Sequence, residues 1–534
     1  MAGAAKSEIS CWRIYSLGAT DGLAKLSCNP FCQTNAISTS ERRAIATFQT
    51  EEALFISDPE KRRSEEKDYA YSNNTSSTKS LHVVEQQFFP KVTLRLLLVR
   101  HGLSSFNREG RIQGRTDLSF LTDEGIEQAI ETGKALAKVP IDAVFSSPLK
   151  RAKETTLKIL SENKQSLKPI FDEDLLEIEL GHWSGLTAEE VKKKSEETYN
   201  LWKDEPENLR ISIEGNDQFE PLQELSKQAK RFINKLTKEY CKEEEKTVLV
   251  VAHNAIIRCI ILELTGGLKD RFKKIKLSNA SISIINIQPN TTKDYQSQIE
   301  CLNNISHLTK CLPEKVGMGR IILVRHGETD WNLAGRFQGQ IDIPLNKNGQ
   351  SQAKAAGIFL SKFHIDHAFS SSMTRPRETA EAILSFHPDV KIELKDDLKE
   401  IAHGLWEGKL ESEIEENWPD LLAKWKNRPE EVEMPQGESI EQVSIRSVRC
   451  WESICSNMSS GESILIVAHD AVNKTILCHL LGLKPKDIWS IKQGNGGISI
   501  IDIPINKKES SIVTCLNLTS HLGGIIDSTA AGAL

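Results

Sequence analysis

Apolar positions along the chain come in two rhythms. Short runs that are apolar at nearly every position, Leu94 to Val99, Val248 to Ala252, Ile321 to Val324 and Ile464 to Ala468, are brief and rich in branched side chains. They predict strands buried on both faces. Longer segments with an apolar residue every three to four positions, Glu124 to Lys138 and Gln350 to Ser361, predict amphipathic helices. The helices alternate with further branched runs, Ala143-Val144-Phe145 and Ala368-Phe369, and such alternation predicts a largely parallel sheet flanked by helices, an α/β fold. Ile282 to Ile285 and Ile498 to Ile501 predict a terminal strand.

The order of elements is written twice. Arg100-His101-Gly102 and Arg325-His326-Gly327 each follow a first strand, and Gly110-Arg111-Ile112-Gln113-Gly114 answers Gly335-Arg336-Phe337-Gln338-Gly339. The separation between counterparts is 225 residues at His101 and His326 but 216 at His253 and His469. Most of that drift falls after Glu177 and Glu400, where a variable cap over the site is expected. Two tandem α/β domains follow, at residues 91–310 and 319–524, with a short link around Pro313 and Gly317.

Residues 1–90 carry neither rhythm. Up to about residue 49 the chain is rich in Ser, Thr, Ala and Cys, and basic residues such as Arg13, Lys25, Arg42 and Arg43 outnumber the acids. The compact apolar core of about 7–15 residues that a secretory signal needs is missing. The composition fits an organelle transit peptide, pointing to the plastid stroma and otherwise to the cytoplasm. Glu8 and Asp21 fit a merely disordered leader better. Glu51 to Ser80 mixes charges with Ser and Asn and reads as a linker.

Lys and Arg total 68 against 74 Asp and Glu, so there is no general electrostatic reason to expect nucleic acid or an anionic membrane as partner. No stretch approaches the roughly 18 apolar residues of a membrane helix, which predicts a soluble protein. The 11 cysteines are scattered without zinc-type spacing, Cys28 and Cys32 falling in the leader, and read as free thiols in a reducing compartment.

Candidate chemistry sits at the strand ends and recurs in order. Each copy offers an arginine and a histidine after the first strand (Arg100, His101; Arg325, His326) and an arginine opening a helix (Arg151; Arg375). Each then offers a glutamate in a loop with glycines and a tryptophan (Glu177; Glu400), and a histidine after a second buried strand (His253; His469). No group of carboxylates has ligand spacing, so metal hydrolysis is not indicated. Two guanidinium forks suit phosphate oxygens, and their field keeps an imidazole neutral and nucleophilic. A carboxyl group can protonate a leaving oxygen and then activate water.

In these motifs, from Leu94 to His521, the chain resembles two tandem copies of the histidine phosphatase superfamily. The resemblance implies three-layer α/β/α, phosphoglycerate mutase-like domains. It implies that His101 and His326 become phosphohistidine and that Glu177 and Glu400 donate protons. Arg100, Arg151 and His253 would clamp the phosphoryl group in the first copy, and Arg325, Arg375 and His469 in the second. Asn107 and Asn332, with Gln113 and Gln338, match positions near the phosphate. It implies no cofactor and no metal. The expected substrate is a small-molecule phosphate monoester, such as a sugar phosphate or 2-carboxy-D-arabinitol 1-phosphate. The Glu-Ile-x-x-Gly-x-Trp pattern of both copies fits the phosphatase branch, with a mutase-type phosphoryl transferase as the alternative. The copies differ: Leu103 stands where the second has Glu328, and Pro435-Gln436-Gly437-Glu438-Ser439 has only Glu214-Gly215-Asn216-Asp217 opposite it. The first copy is therefore the candidate for a non-catalytic module that binds a phosphorylated ligand.

Overall fold

A computed structural model describes residues 92–163, 165–213, 215–289, 295–315, 319–504 and 510–529. The leader and linker, with Cys28 and Cys32, and also Glu214 and Gly317, lie outside the described residues. In chain order the strands of the first half are β1 (Leu94–Arg100), β2 (Ala143–Ser146), β3 (Ile170–Phe171), β4 (Ile211–Ile213), β5 (Asn216–Phe219), β6 (Lys246–Ala252), β7 (Ile282–Pro289) and β8 (Tyr295–Asn304). Those of the second are β9 (Gly319–Arg325), β10 (His367–Ser371), β11 (Ile392–Lys395), β12 (Ser463–Ala468), β13 (Ile498–Ile503) and β14 (Ile512–Leu518).

β1 is buried on both faces, as its continuous apolar run predicts. Leu94, Leu96 and Leu98 pack into one core and Leu97 and Val99 into the other. The first core is closed by the helices Pro221–Tyr240 and Asn254–Leu264 and their counterparts Ile440–Ser456 and Asp470–Leu481. The opposite core is closed by Asp123–Leu136, Lys150–Glu162, Lys347–Leu360 and Thr374–Leu384. The layers are therefore α/β/α. The helix expected from Glu124 starts at Asp123, where the Thr122 hydroxyl caps Gly125 N–H. The one expected from Gln350 starts earlier, at Lys347, because Asn346 supplies the cap.

Within each half β2, β6 and β1, or β10, β12 and β9, run parallel, and β7 or β13 lies antiparallel beside the first strand. The closing strands extend beyond the apolar runs that announced them, and each is followed by one more, β8 or β14. Gln296, Gln298, Glu300 and Asn303 interrupt β8, which hides it from an apolar pattern. These last strands pair with each other, so the half-sheets join into one of twelve strands, ordered β11-β10-β12-β9-β13-β14-β8-β7-β1-β6-β2-β3. Leu302 faces Leu516 across the seam, and contacts on either side of it recur as mirrored pairs. Ile275 bridges Val513 while its counterpart Ile491 bridges Ile299. Asn303 Nδ2 donates to the Thr514 carbonyl at 2.6 Å, and Asn517 Nδ2 to that of Glu300 at 2.8 Å. The halves are thus related by an approximate two-fold axis through the seam. In the cap interval both halves carry two short helices, Ala188–Lys194 and Glu196–Asp204 or Glu411–Asn417 and Pro419–Asn427. The first half adds the β4–β5 hairpin, which accounts for much of the drift in register.

Candidate active site

Each half brings its chemistry to the carboxyl ends of three neighbouring parallel strands. β1 hands the chain from Arg100 to His101, β6 hands it from Ala252 to His253, and Arg151 stands in the first turn of the helix after β2. The loop after the first histidine runs hard against a helix. A Cβ on Gly102 would stand 2.3 Å from the Gly125 carbonyl oxygen, and one on Gly327 2.4 Å from that of Gly349, so glycine is required at both.

His101 and His326 are buried. Their Nδ1 atoms lie 2.8 and 2.7 Å from the carbonyl oxygens of Gly102 and Gly327. A carbonyl only accepts, so Nδ1 carries the proton and Nε2 keeps its lone pair. In the second half Arg375 Nε donates to that lone pair at 3.2 Å. His253 and His469 stand alongside, ring centroids 5.2 and 5.1 Å from their partners. Their Nε2 atoms meet Ser147 Oγ at 2.7 Å and Ser371 Oγ at 2.9 Å. Each serine oxygen already accepts from a backbone N–H, of Leu149 or Met373. In the tautomer in which the serine hydroxyl donates to Nε2, Nδ1 of the second histidine is left as a donor.

The guanidiniums are held by backbone carbonyls. Arg100 Nη1 donates to Leu277 at 2.7 Å and Arg325 Nη1 to Gln493 at 2.5 Å. Arg151 donates to Gly114 and Thr116, and Arg375 to Gly339 and Ile341. What remains is a set of buried donors with no partner among the described residues: Nε of Arg100, Arg151 and Arg325, and Nδ1 of His253 and His469. Buried donors are ordinarily paired, at a cost of about 1–3 kcal/mol each when they are not. Grouped at the strand ends of each half, they fit an anion with several oxygens. Burial, reinforced by Arg151 and Arg100, holds His101 well below the usual histidine range, and burial with Arg375 and Arg325 does the same to His326. Burial lowers Arg100 and Arg375 to about 10, which leaves them charged at neutral pH.

The glutamates sit at helix N-termini. Glu177 accepts from the N–H of Ile178 at 2.9 Å and of Ala255 at 3.1 Å, and Glu400 from Ile401 at 2.9 Å and Asp470 at 3.0 Å. Burial, then the Asp470 charge, raise the Glu400 carboxyl above its ordinary value, against the Ile401 N–H and the two arginines. Asn107 Oδ1 accepts from Asn279 at 3.0 Å and from Arg100 at 3.4 Å, and Asn332 Oδ1 from Asn495 at 3.3 Å. Gln113 accepts from Ser104 at 3.0 Å, and Gln338 is buried. The arginines, histidines, glutamates and asparagines singled out in the sequence stand at the strand ends of their own half. Ser147, Ser371, Asn279 and Asn495 escaped that reading. Their signal is the recurrence of Ser and Asn at matched positions in both copies.

Leu103 proves to be a change of anchorage. In the second half Glu328 accepts from Asn346 Nδ2 at 2.9 Å, tying the loop to the start of a helix. In the first half the Thr122 hydroxyl ties the counterpart helix to the Leu103 carbonyl at 2.9 Å. Among the described residues no cluster of three or more His, Cys, Asp or Glu could hold a metal, and no helix is long and apolar enough to cross a membrane.

A family model described as "Histidine phosphatase superfamily (branch 1)" matches residues 96–297 and 321–514. The chain is 28% identical over 456 residues to "Probable 2-carboxy-D-arabinitol-1-phosphatase" of Arabidopsis thaliana, covering 82% of this chain and 90% of that one. It is 28% identical over 446 residues to "2-carboxy-D-arabinitol-1-phosphatase" of Triticum aestivum, covering 80% and 86%. "Phosphoserine phosphatase 1" of Hydrogenobacter thermophilus is 32% identical over 206 residues, 39% of this chain and 95% of its own.

Proposed function

The chain belongs to the histidine phosphatase superfamily and is a phosphatase, and we propose that both halves hydrolyse small phosphate monoesters through a phosphohistidine. The observation that carries this reading is the ring of unpartnered buried donors around an imidazole whose Nε2 is unprotonated. Nε2 of His101 or His326 attacks phosphorus in line, and the ester oxygen leaves with the proton of Glu177 or Glu400. Arg100, Arg151 and His253, or Arg325, Arg375 and His469, carry the charge that spreads over the equatorial oxygens. The same glutamate, now a carboxylate, takes a proton from water as the water oxygen bonds to phosphorus and the N–P bond breaks.

The two arginines neutralise the phosphoryl charge and the histidine supplies the nucleophile, the two services a metal would render. Activity is therefore expected to survive EDTA, and acid-labile, base-stable phosphate to be trapped on His101 and His326 during turnover. Activity lost to EDTA and restored by Mg²⁺ would overturn the mechanism. The Leu103 anchorage and the complete residue set support turnover in the first half as well as the second. A mutase is less well supported than a hydrolase. With 3-phosphoglycerate, free phosphate is expected to outrun 2-phosphoglycerate.

For substrate the candidate is 2-carboxy-D-arabinitol 1-phosphate, because two relatives that align across both halves carry its phosphatase's name. A panel of phosphorylated metabolites tests it, and equal rates across the panel would remove the assignment. The composition of residues 1–90 supports import into a plastid, which a reporter fused to that segment reads directly.

A further inference from the structure

The acid glutamates are held by side chains that no motif announces, and the two halves hold them with the same two groups exchanged. In the first half Arg115 Nε donates to the Glu177 carbonyl at 3.0 Å. Gln228 Nε2 donates to the carbonyls of Leu176 at 2.7 Å and Asp174 at 3.1 Å. The counterpart of Arg115 is Gln340, whose Nε2 donates to the Glu400 carbonyl at 3.0 Å. The counterpart of Gln228 is Arg446, whose Nη1 donates to the carbonyls of Lys399 at 2.6 Å and Asp397 at 2.9 Å. Leu176 and Asp174 stand in register with Lys399 and Asp397, so the same carbonyls are gripped from the same two directions. Only the chemistry of the gripping groups has changed places.

Each guanidinium is itself steadied. Arg115 Nη2 donates to Gln228 Oε1 at 3.0 Å, and its Nε stands 3.8 Å from Glu179. Arg446 donates through Nε and Nη2 to the two oxygens of Glu438 at 2.8 and 2.9 Å, and reaches the Glu400 carbonyl as well at 2.9 Å. Glu438 also accepts from Ala402 N–H at 2.9 Å, which closes the loop around the acid. Three or more directed bonds to carbonyls within a four-residue stretch fix the backbone on which the carboxyl swings. A displacement of about 1 Å at such a point can cost about a hundredfold in rate.

We propose that Arg115 with Gln228, and Gln340 with Arg446, are positioning residues for the proton donors Glu177 and Glu400: a single carbonyl clamp with guanidinium and carboxamide exchanged between the halves. The proposal rests on reading those glutamates as the acids. Neither the guanidinium nor the carboxamide bonds to the histidines or to the phosphate-facing arginines, so the clamp acts through the backbone that carries Glu177 or Glu400. Its loss is felt where the leaving oxygen needs a proton. Because the identities are exchanged in register, a swapped pair is functional where a broken pair is not.

The test isolates the second site with His101→Ala and compares phenyl phosphate, a poor leaving group, with 4-nitrophenyl phosphate, a good one. Arg446→Gln is expected to lower kcat on phenyl phosphate by roughly ten- to a hundredfold and on 4-nitrophenyl phosphate by a few-fold at most, with KM little changed. The double variant Gln340→Arg/Arg446→Gln, which writes the first half's arrangement into the second, is expected to return within a few-fold of the parent. Arg115→Gln and Arg115→Gln/Gln228→Arg are the reciprocal pair in a His326→Ala background. Equal losses on both substrates with a fallen Tm, or a double variant no better than the single in both backgrounds, would overturn the clamp. Glu400→Gln separates the two levels. If it shows the leaving-group bias and Arg446→Gln does not, the clamp alone fails; if Glu400→Gln shows no bias, the acid assignment fails and takes the clamp with it.

Discussion

A buried imidazole ringed by arginines has a consequence for stability as well as for catalysis. His101, His253, His326 and His469 are all held well below the ordinary histidine value, by burial first and the neighbouring guanidiniums second. In the unfolded chain they titrate near 6.5, so below neutrality the unfolded state binds protons that the folded state refuses. Their contribution is fully present above pH ~6.5 and is lost as pH falls, at up to about 1.4 kcal/mol per histidine per pH unit. Glu400, raised, works in the opposite sense: its contribution is present at low pH and lost as pH rises through its folded value. One group does not offset four. Tm is expected to fall steadily from pH 7 to 5.5, and His253→Gln to flatten that slope; a Tm constant over the range would contradict the burial described. The histidines, arginines and glutamates were legible in the sequence because each follows a strand or loop signal that is written twice. The residues that orient them, Ser147 on His253 or Arg115 on Glu177, were not, since a serine or arginine near a turn has the same composition whether it faces solvent or a carbonyl.

Elements were legible in proportion to how apolar they are. β1, β6, β9 and β12 were read from continuous runs; β8 and β14 were not, because polar side chains at the seam bond across it. Asn303 shows why such positions are polar. Its backbone is left-handed, with φ of 52°, and its counterpart Asn517 has φ of 51°, a conformation that asparagine tolerates better than most residues. Its Oδ1 accepts from Ser278 N–H at 2.6 Å while Nδ2 reaches the Thr514 carbonyl of the other half. Asn303→Ala removes both bonds and keeps the unfavourable φ. It is expected to destabilise by about 2–4 kcal/mol, with Asn303→Gly about 1 kcal/mol milder because glycine relieves the backbone term alone. Denaturant titration of the two variants measures the difference. An alanine variant within about 0.5 kcal/mol of the parent, the range of an ordinary surface change, would show that the seam asparagines do not hold the halves together.

At the scale of the molecule, both cores run across the seam from one half into the other. The cluster containing Leu96 and Val250 also contains Leu323 and Ile466, and the one containing Leu97 and Val251 also contains Ile322 and Val467. Unfolding one half would bare the seam of the other. The chain is expected to unfold in one cooperative transition, and a protease site engineered into the link at residues 308–318 to leave the cut halves co-eluting in size-exclusion chromatography under native conditions. Separation of the halves after cutting would mean that the link, and not the seam, keeps them paired. The two-fold seam carries a last consequence. Two separate chains joined along such an edge would part on dilution, and every substitution in one would be repeated in the other. A covalent link replaces bulk concentration with an effective concentration in the millimolar range, so the pairing no longer depends on how much protein is present. It also frees each half from copying its twin, which is how arginine and glutamine could trade places around one glutamate and not around the other.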